Sequence, residues 1–204
     1  MKSTFLYTAL GDSSGVGIGA HDGQGYVTRA FARLKTKIPS ARLLNLCVSG
    51  ATSGTVLSGQ ADRAARSNPS LVTLFIGGND LWRMVDPERF HQNLEAIAAR
   101  LDTTGAPVLL GNLANMSHAP VAAHAQALVG ISKSMIEDRV KAFNKAIDAV
   151  ATRHRYTLVD LFGVGIVDRP HYFCGDGFHP SSEGYAVWAD TLWPSMERVV
   201  TAAA

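Results

Sequence analysis

The sequence has few cysteines, little charge of either sign and no long apolar run. Cys47 and Cys174 are the only cysteines in 204 residues, too few for a disulfide scaffold, and two reduced thiols are the preferred interpretation. No stretch approaches the roughly 20 apolar residues that span a bilayer. Lys and Arg total 19 against 17 Asp and Glu, without a run of like charge. Neither a nucleic acid nor a membrane span is therefore expected.

The composition is that of a folded globular protein. Apolar residues make up 47% of the chain and charged residues 18%, and the length suits one domain, residues 1–204, with a sizeable core. The apolar stretch 5–10 ends at Gly11 before it reaches signal-peptide length. This predicts a cytoplasmic protein, although a secreted protein whose leader had been removed would have the same sequence. Monomer and dimer both stay open.

Short apolar runs alternate with longer amphipathic stretches, which is typical of parallel strands covered on both faces by crossover helices. The runs predicted to be strands are 4–10, 42–48, 71–76, 107–110 and 156–161. Helical periodicity predicts helices over 87–101, through 136–150 and after Ser182. The stretch 112–130 is long for a connection between a strand and a helix, so it is either a partly helical insertion or a pocket loop.

Polar or glycine-rich segments follow four of the five predicted strands. They are 11–15, 48–52, 77–80 and, in a loop after the fifth strand, 176–180. Each is an ordinary turn composition when taken alone. Ligands of open α/β sheets bind beyond the carboxyl ends of the strands, however. Four such segments at one edge therefore indicate a site.

The residues of these segments suit nucleophilic catalysis by serine. A serine hydroxyl needs a base to take its proton, and the base needs a third group to orient it. Ser13 is the candidate nucleophile, His179 the base and Asp176 the orienting acid. The backbone N–H groups of Ser13 and Gly50 and the side-chain amide of Asn79 are candidates for an oxyanion hole.

At this point the sequence resembles the GDSL or SGNH hydrolases, a family named after the Ser, Gly, Asn and His of four sequence blocks. Residues 11–13 resemble the nucleophile block, Gly50 the second block, 77–80 the third and 176–179 the last, in the family's order. The resemblance implies a flavodoxin-like three-layer α/β/α sandwich with a mainly five-stranded parallel sheet. It also implies esterase or acylhydrolase activity with no metal and no cofactor.

Ser14 departs from the family pattern, which usually has a bulky aliphatic residue at this position. The departure raises the question of which serine attacks. Alignment with the family favours Ser13, because it directly follows Gly11 and Asp12, and Ser14 is then a turn or helix-cap residue.

Several further residues have two interpretations each. Asp12, Trp82 and Phe178 are candidates for the wall of a substrate pocket, and Trp82 fits the core equally well. Asp80 is expected to hold the Asn79 loop through local hydrogen bonds.

Residues 11–15 also fit the G-x-S-x-G elbow of α/β-hydrolases. Only one strand precedes Ser13, whereas that elbow lies behind several strands. Residues 15–20 match a loose dinucleotide fingerprint, but the second strand ends in 46–49 without the acidic residue that the fingerprint requires. The alternative is that these glycines let a loop pass close to the nucleophile.

Metal binding is the other alternative for the histidines. The spacing of His171, Cys174, Asp176 and His179 matches no common zinc pattern, so no metal is expected. His118 and His124 lie in the stretch 112–130, where substrate contact competes with surface or packing roles.

The sequence therefore predicts a serine esterase acting on small-molecule esters, with short acyl or acetyl groups favoured. Two alternatives stay open. An acyltransferase that passes the acyl group to an alcohol or sugar would be recognised by product analysis with an acceptor. A non-catalytic binding module on the same fold would not react with a fluorophosphonate.

Overall fold

The computed structural model describes residues 4–165, 167 and 169–203, with the backbone alone described at 124–126, 128, 129 and 203. Its centre is a five-stranded parallel sheet with the strand order β2-β1-β3-β4-β5. The strands are β1 Leu6–Gly11, β2 Arg42–Asn45, β3 Leu71–Phe75, β4 Val108–Gly111 and β5 Thr157–Val159. All four pairings are parallel. The predicted α/β fold with a parallel sheet is confirmed.

The two edge strands of the sheet end earlier than predicted. β2 ends at Asn45, whose side-chain oxygen accepts the Cys47 N–H at 3.1 Å. β5 ends at Val159, and the N–H of Leu161 donates to the Asn112 side chain at 2.6 Å. At β5 the Asn112 side chain thus takes an N–H that a longer strand would pair with backbone. At β2 the Cys47 N–H faces the free edge of the sheet, because Leu46 and Val48 on either side of it donate to β1.

Helices cover both faces of the sheet. α2 Tyr26–Lys37 and α9 Ser182–Ala203 pack on one face, and α3 Ser53–Gly59, α4 Ala61–Arg66, α6 Pro87–Asp102 and α8 Lys133–His154 pack on the other. Two short helices, α1 Ser13–Val16 and α5 Gly78–Trp82, begin where β1 and β3 end. The predicted helices over 87–101 and 136–150 and after Ser182 are present, whereas α2, α3 and α4 were not predicted.

The stretch 112–130 is a partly helical insertion, one of the two predicted forms. It contains a single 3₁₀ turn, Met116–His118, followed by α7 Pro120–Val129.

The core lies in two layers, one on each face of the sheet. On one face Phe90 of α6 stacks on Phe143 of α8 with ring centroids 4.4 Å apart. On the other face Tyr26 of α2 stacks on Trp188 of α9 at 4.8 Å. Aromatic pairs of this kind add about 0.5–1.5 kcal/mol to the burial of their surface. These contacts hold the helices of each layer against one another.

The strand order reverses beside β1. The chain passes from β1 out to β2 and then returns to β3 on the other side of β1. At such a switch point the loops leaving the two neighbouring strands diverge and open a crevice at the carboxyl edge of the sheet. The segments 11–15 and 77–80 both border this crevice.

Candidate active site

The segment after β1 places Ser13 at the carboxyl edge of the sheet. Asp12 caps α1, because its Oδ1 accepts the Ser14 N–H at 2.9 Å and the Ser14 hydroxyl at 2.6 Å. Burial raises the pKa of Asp12, and the hydrogen bonds from Ser14 act in the opposite direction. Ser13 is the first residue of α1 and is 6% exposed. The two adjacent serines therefore differ, since the hydroxyl of Ser14 is bound to the capping aspartate.

The loop before α9 brings His179 to Ser13. Oδ1 of Asp176 accepts the backbone N–H groups of Phe178 and His179 at 2.8 and 2.9 Å. Its Oδ2 lies 2.6 Å from Nδ1 of His179, and Nε2 of His179 lies 2.8 Å from Oγ of Ser13. Gly177 between them has φ 66°, a left-handed conformation that glycine adopts without strain. One tight turn thus orients the imidazole toward the serine hydroxyl.

The Asp176 carboxylate is held in its ionised form. Partial burial acts to raise its pKa, but hydrogen bonds from the His179 ring and from the backbone of His179 and Phe178 outweigh burial. The pKa of Asp176 therefore lies well below its usual range. An ionised acid at Nδ1 fixes the tautomer of His179 that presents a lone pair at Nε2.

Gly50 and Asn79 come from the two loops that flank the end of β1. Gly50 has φ 77°, again a left-handed conformation. The side-chain amide of Asn79 donates to the Ala51 carbonyl at 3.0 Å. A Cβ on Gly78 would lie 3.8 Å from Oδ2 of Asp12. These contacts bring the second and third sequence blocks together beside the first.

Asp80 supports this arrangement through a distant partner rather than through the local hydrogen bonds that the sequence predicts. Its fully buried carboxylate accepts the Ser53 N–H at 2.8 Å and the Ser53 hydroxyl at 2.5 Å. Asn93 of α6 donates to the same hydroxyl at 2.9 Å. The cluster ties α5 to the start of α3 and so fixes the Asn79 loop against the Gly50 loop.

Gln60 is a supporting residue that sequence reasoning missed. Its Oε1 accepts the Gly11 N–H at 2.9 Å and its Nε2 donates to the Gly11 carbonyl at 2.8 Å. The buried amide thus binds both backbone groups of the last residue of β1, immediately before Asp12, and the Gly11 carbonyl also accepts the Val48 N–H at 3.2 Å. Ser53 and Asn93 were missed as well. A single polar residue gives no periodic signal that distinguishes a buried position from a surface position.

A narrow apolar cavity of about 80 Å³ opens beside Ser13 and His179. It runs between the carboxyl ends of β3 and β4, the insertion, and the loop before α9. Its polar wall includes Asp12, Ser13 and His179. Its apolar wall consists of Phe75, Ile76, Leu113, Ala114, Met116, Leu161, Val167, Phe173, Phe178 and Trp188.

Of the three residues predicted for the pocket wall, Asp12 and Phe178 line this cavity. Trp82 lies outside it and packs edge-on against Phe178, with ring centroids 6.3 Å apart. Trp82 also packs against the apolar cluster around Leu81 and Ile136. Trp82 therefore supports the wall from behind.

The glycines of the segment 15–20 allow close packing around the site. A Cβ on Gly15 would lie 2.2 Å from Sγ of Cys47, and one on Gly19 would lie 2.6 Å from the Pro180 carbonyl and 3.0 Å from Cβ of His179. Glycine at these positions lets the chain after Ser13 pass close to the His179 loop. The contacts therefore fit the alternative interpretation of residues 15–20, in which the glycines allow close packing and do not form a dinucleotide fingerprint.

The other histidines and the cysteines lie around this centre. Both cysteines are free, and the Cys174 N–H donates to the His179 carbonyl at 2.9 Å. The ring of His171 packs edge-on against Tyr172. His118 lies in the 3₁₀ turn of the insertion, and the side chain of His124 falls outside the described residues. Across the part of the chain that is described, no three His, Cys, Asp or Glu side chains are grouped to hold a metal ion.

Comparison with known proteins places the chain in a family. The model of the GDSL-like lipase/acylhydrolase family matches residues 9–187, and the chain belongs to that family. It is an esterase or acylhydrolase, an enzyme that hydrolyses ester bonds. Over the residues described, no helix has the length and apolarity needed to cross a bilayer.

The chain is similar to esterase TesA of Pseudomonas aeruginosa, with 28% identity over 191 residues, which is 94% of this chain and 87% of the relative. A crystal structure of TesA superposes with a TM-score of 0.77 at 27% identity, covering 95% of this chain and 99% of the other. The psychrotrophic esterase EstA from Pseudoalteromonas sp. has the same fold, with a TM-score of 0.76, 18% identity and coverage of 96% and 98%.

Proposed function

We propose that the chain hydrolyses esters through an acyl-enzyme on Ser13. His179 takes the proton of the Ser13 hydroxyl as Oγ bonds to the carbonyl carbon. The bond from that carbon to the leaving oxygen then breaks, and His179 returns the proton to the leaving alcohol. Water, activated by the same histidine, cleaves the acyl-Ser13 ester. The observation that carries the proposal is the pair of contacts, 2.6 Å from Asp176 to His179 and 2.8 Å from His179 to Ser13.

The oxyanion of the intermediate has three candidate donors. Ser13 is the first residue of α1, so its N–H has no acceptor within the helix. One hydrogen of the Asn79 amide goes to Ala51 and orients the group, which leaves the second for the oxyanion. The Gly50 N–H is the third. Asn79→Ala is expected to lower kcat by about 10²–10³-fold.

The acyl group is proposed to occupy the apolar cavity. The cavity has a volume of about 80 Å³ and an almost wholly apolar wall, which suits a short or medium unbranched acyl chain. An acetyl group would leave most of the apolar wall without a partner, and a long chain would exceed the space. Each buried methylene contributes about 0.8 kcal/mol, so kcat/KM is expected to rise about threefold to fourfold per methylene until the cavity is full.

Two experiments test this function. A fluorophosphonate is expected to label Ser13, located by tandem mass spectrometry of the peptide, and Ser13→Ala is expected to remove both labelling and turnover. A series of 4-nitrophenyl esters from acetate to palmitate tests the cavity. Labelling of Ser14, or full turnover by Ser13→Ala, would overturn the mechanism. If kcat/KM showed no maximum at short or medium chain lengths, the placing of the acyl group in the cavity would be wrong, while the mechanism at Ser13 would still stand.

A further inference from the structure

Two arginines lie against the Gly50 loop. Arg63 of α4 lines a groove of about 290 Å³ together with residues 48–51 and Gln60. Arg83 follows α5, and its Nη2 lies 3.6 Å from the position that a Cβ on Gly50 would occupy. Both side chains are exposed. Two different elements therefore place a guanidinium group beside the same loop.

Neither guanidinium has an acidic partner within ion-pair distance among the described residues. Asp62, the sequence neighbour of Arg63, pairs instead with Arg100 at 2.8 Å. The acid that interacts with Arg83 is Asp80, which is buried and held by Ser53. Burial raises the pKa of Asp80, while the hydrogen bonds from Ser53 and the charge of Arg83 oppose that rise. Both arginines are thus free to bind an external anion.

The groove borders the Gly50 loop, whose N–H is one of the candidate donors to the oxyanion. It shares no lining residue with the acyl cavity, and Gly50 forms part of its wall. When the acyl chain fills the cavity and the oxyanion faces the Gly50 N–H, the remaining substituent of the tetrahedral carbon is directed to the mouth of the site. The groove wall is mixed, with the apolar Val48 and Ala51 beside the hydroxyl groups of Ser49 and Thr55 and the guanidinium group of Arg63. The arginine is the feature that favours an anionic leaving group over a second hydrocarbon chain.

We propose that this groove is a leaving-group site for esters whose alcohol carries an oxyanion, such as a phosphate, sulfonate or carboxylate. Arginine suits this role because its guanidinium stays charged and can donate two parallel hydrogen bonds to one oxyanion. The proposal rests on the proposed function, since it assigns the second half of the same substrate. Arg63 and Arg83 bind the anion and take no part in the bond-breaking steps.

The test compares two hexanoyl esters on the same enzyme variants. 4-Nitrophenyl hexanoate is an uncharged ester, and 4-hexanoyloxy-3-nitrobenzenesulfonate carries a permanent sulfonate charge on its leaving group. The double variant Arg63→Gln/Arg83→Gln is expected to lower kcat/KM for the sulfonate roughly tenfold, mainly through KM, and to leave the neutral ester within about twofold. About 0.5 M salt should likewise lower the wild-type kcat/KM for the sulfonate relative to that for the uncharged ester, because salt screens exposed charges.

Arg42→Gln is the matched control. Arg42 is exposed and begins β2 at the amino edge of the sheet, opposite the site. The Arg42→Gln substitution removes the same kind of charge without touching the groove, so it should leave kcat/KM for both esters unchanged. An equal loss with Arg42→Gln, or equal effects of the double variant on both esters, would overturn the leaving-group site. If the wild type hydrolysed neither ester, the proposed function itself would fail, which is a different result.

Discussion

Two histidines of this chain contact an aspartate in the same way, at opposite edges of the sheet. Nδ1 of His179 lies 2.6 Å from Asp176 at the carboxyl edge, and Nδ1 of His154 lies 2.6 Å from Asp102 at the amino edge. The difference is at Nε2, which faces the Ser13 hydroxyl in the first pair and the Glu95 carboxylate in the second, at 2.8 and 3.1 Å.

The group that faces Nε2 determines what each histidine can do chemically. A hydroxyl at Nε2 donates a hydrogen bond to a neutral imidazole, which can then accept the proton. A carboxylate at Nε2 instead favours the protonated ring, and His154 links the end of α8 to Glu95 and Asp102 of α6. Tyr156 also donates to Asp102 at 2.7 Å. A histidine–aspartate contact is therefore not by itself a mark of catalysis.

The largest expected difference between the two pairs is in turnover. His179→Ala should lower kcat by about 10⁴-fold or more, because no other group in the proposed mechanism takes the serine proton. His154→Ala should leave kcat within about threefold. Steady-state turnover of 4-nitrophenyl butyrate measures both. Similar losses in the two variants would refute the assignment of separate roles.

Replacing the two aspartates sharpens the same contrast. Asp176→Asn should lower kcat by about 10²–10⁴-fold, since the amide no longer fixes the tautomer or stabilises the imidazolium. Asp102→Asn should leave turnover intact and lower the free energy of unfolding by about 1–2 kcal/mol. Steady-state kinetics and urea denaturation of both variants test these two expectations. A stable, inactive Asp102→Asn would contradict the structural role of that residue.

The cluster formed by His154, Asp102 and Glu95 should make the free energy of unfolding depend on pH. Burial opposes the charge of His154, but hydrogen bonds to Asp102 and Glu95 outweigh it and raise the pKa of His154 above its ordinary value. A raised folded-state pKa gives stability that is fully present below about pH 6.5 and is lost as pH rises through the folded pKa. His91 and Arg153 face Glu95 as well.

The measurement is the difference in unfolding free energy between wild type and His154→Gln. It should be largest near pH 6 and shrink toward about pH 9. A difference that grew with rising pH would mean that His154 is neutral in the folded protein.

The smallest effect is expected at Ser14. Ser14→Ala removes one hydrogen bond to the buried Asp12 and leaves the backbone N–H cap in place. We expect about 1–2 kcal/mol of lost stability and a kcat within about threefold of wild type. Thermal denaturation and turnover check both values. A loss as large as that of Ser13→Ala would make Ser14 part of the chemistry.

The sequence predicted the fold class and brought the four polar segments to one sheet edge, because buried parallel strands have a distinct apolar pattern. It predicted the edge strands less well. At the end of β5 the Asn112 side chain takes the Leu161 N–H, a contact between residues 49 positions apart in the chain that a local pattern does not predict. Helices α3 and α4 were missed because they are short and their periodicity covers fewer than two turns.

By itself, the sequence predicted the chemistry, because Ser13, Asp176 and His179 have side chains suited to it and lie in recognisable blocks. Only the tertiary structure showed that the His179 ring lies within hydrogen-bond distance of both Asp176 and Ser13, and that Gln60 and Ser53 hold the loops in place. The physical reason is that hydrogen bonds depend on distances between groups far apart in the chain, such as the 166 positions that separate Ser13 and His179. Local patterns do not encode those distances; the packing of helices on the sheet sets them.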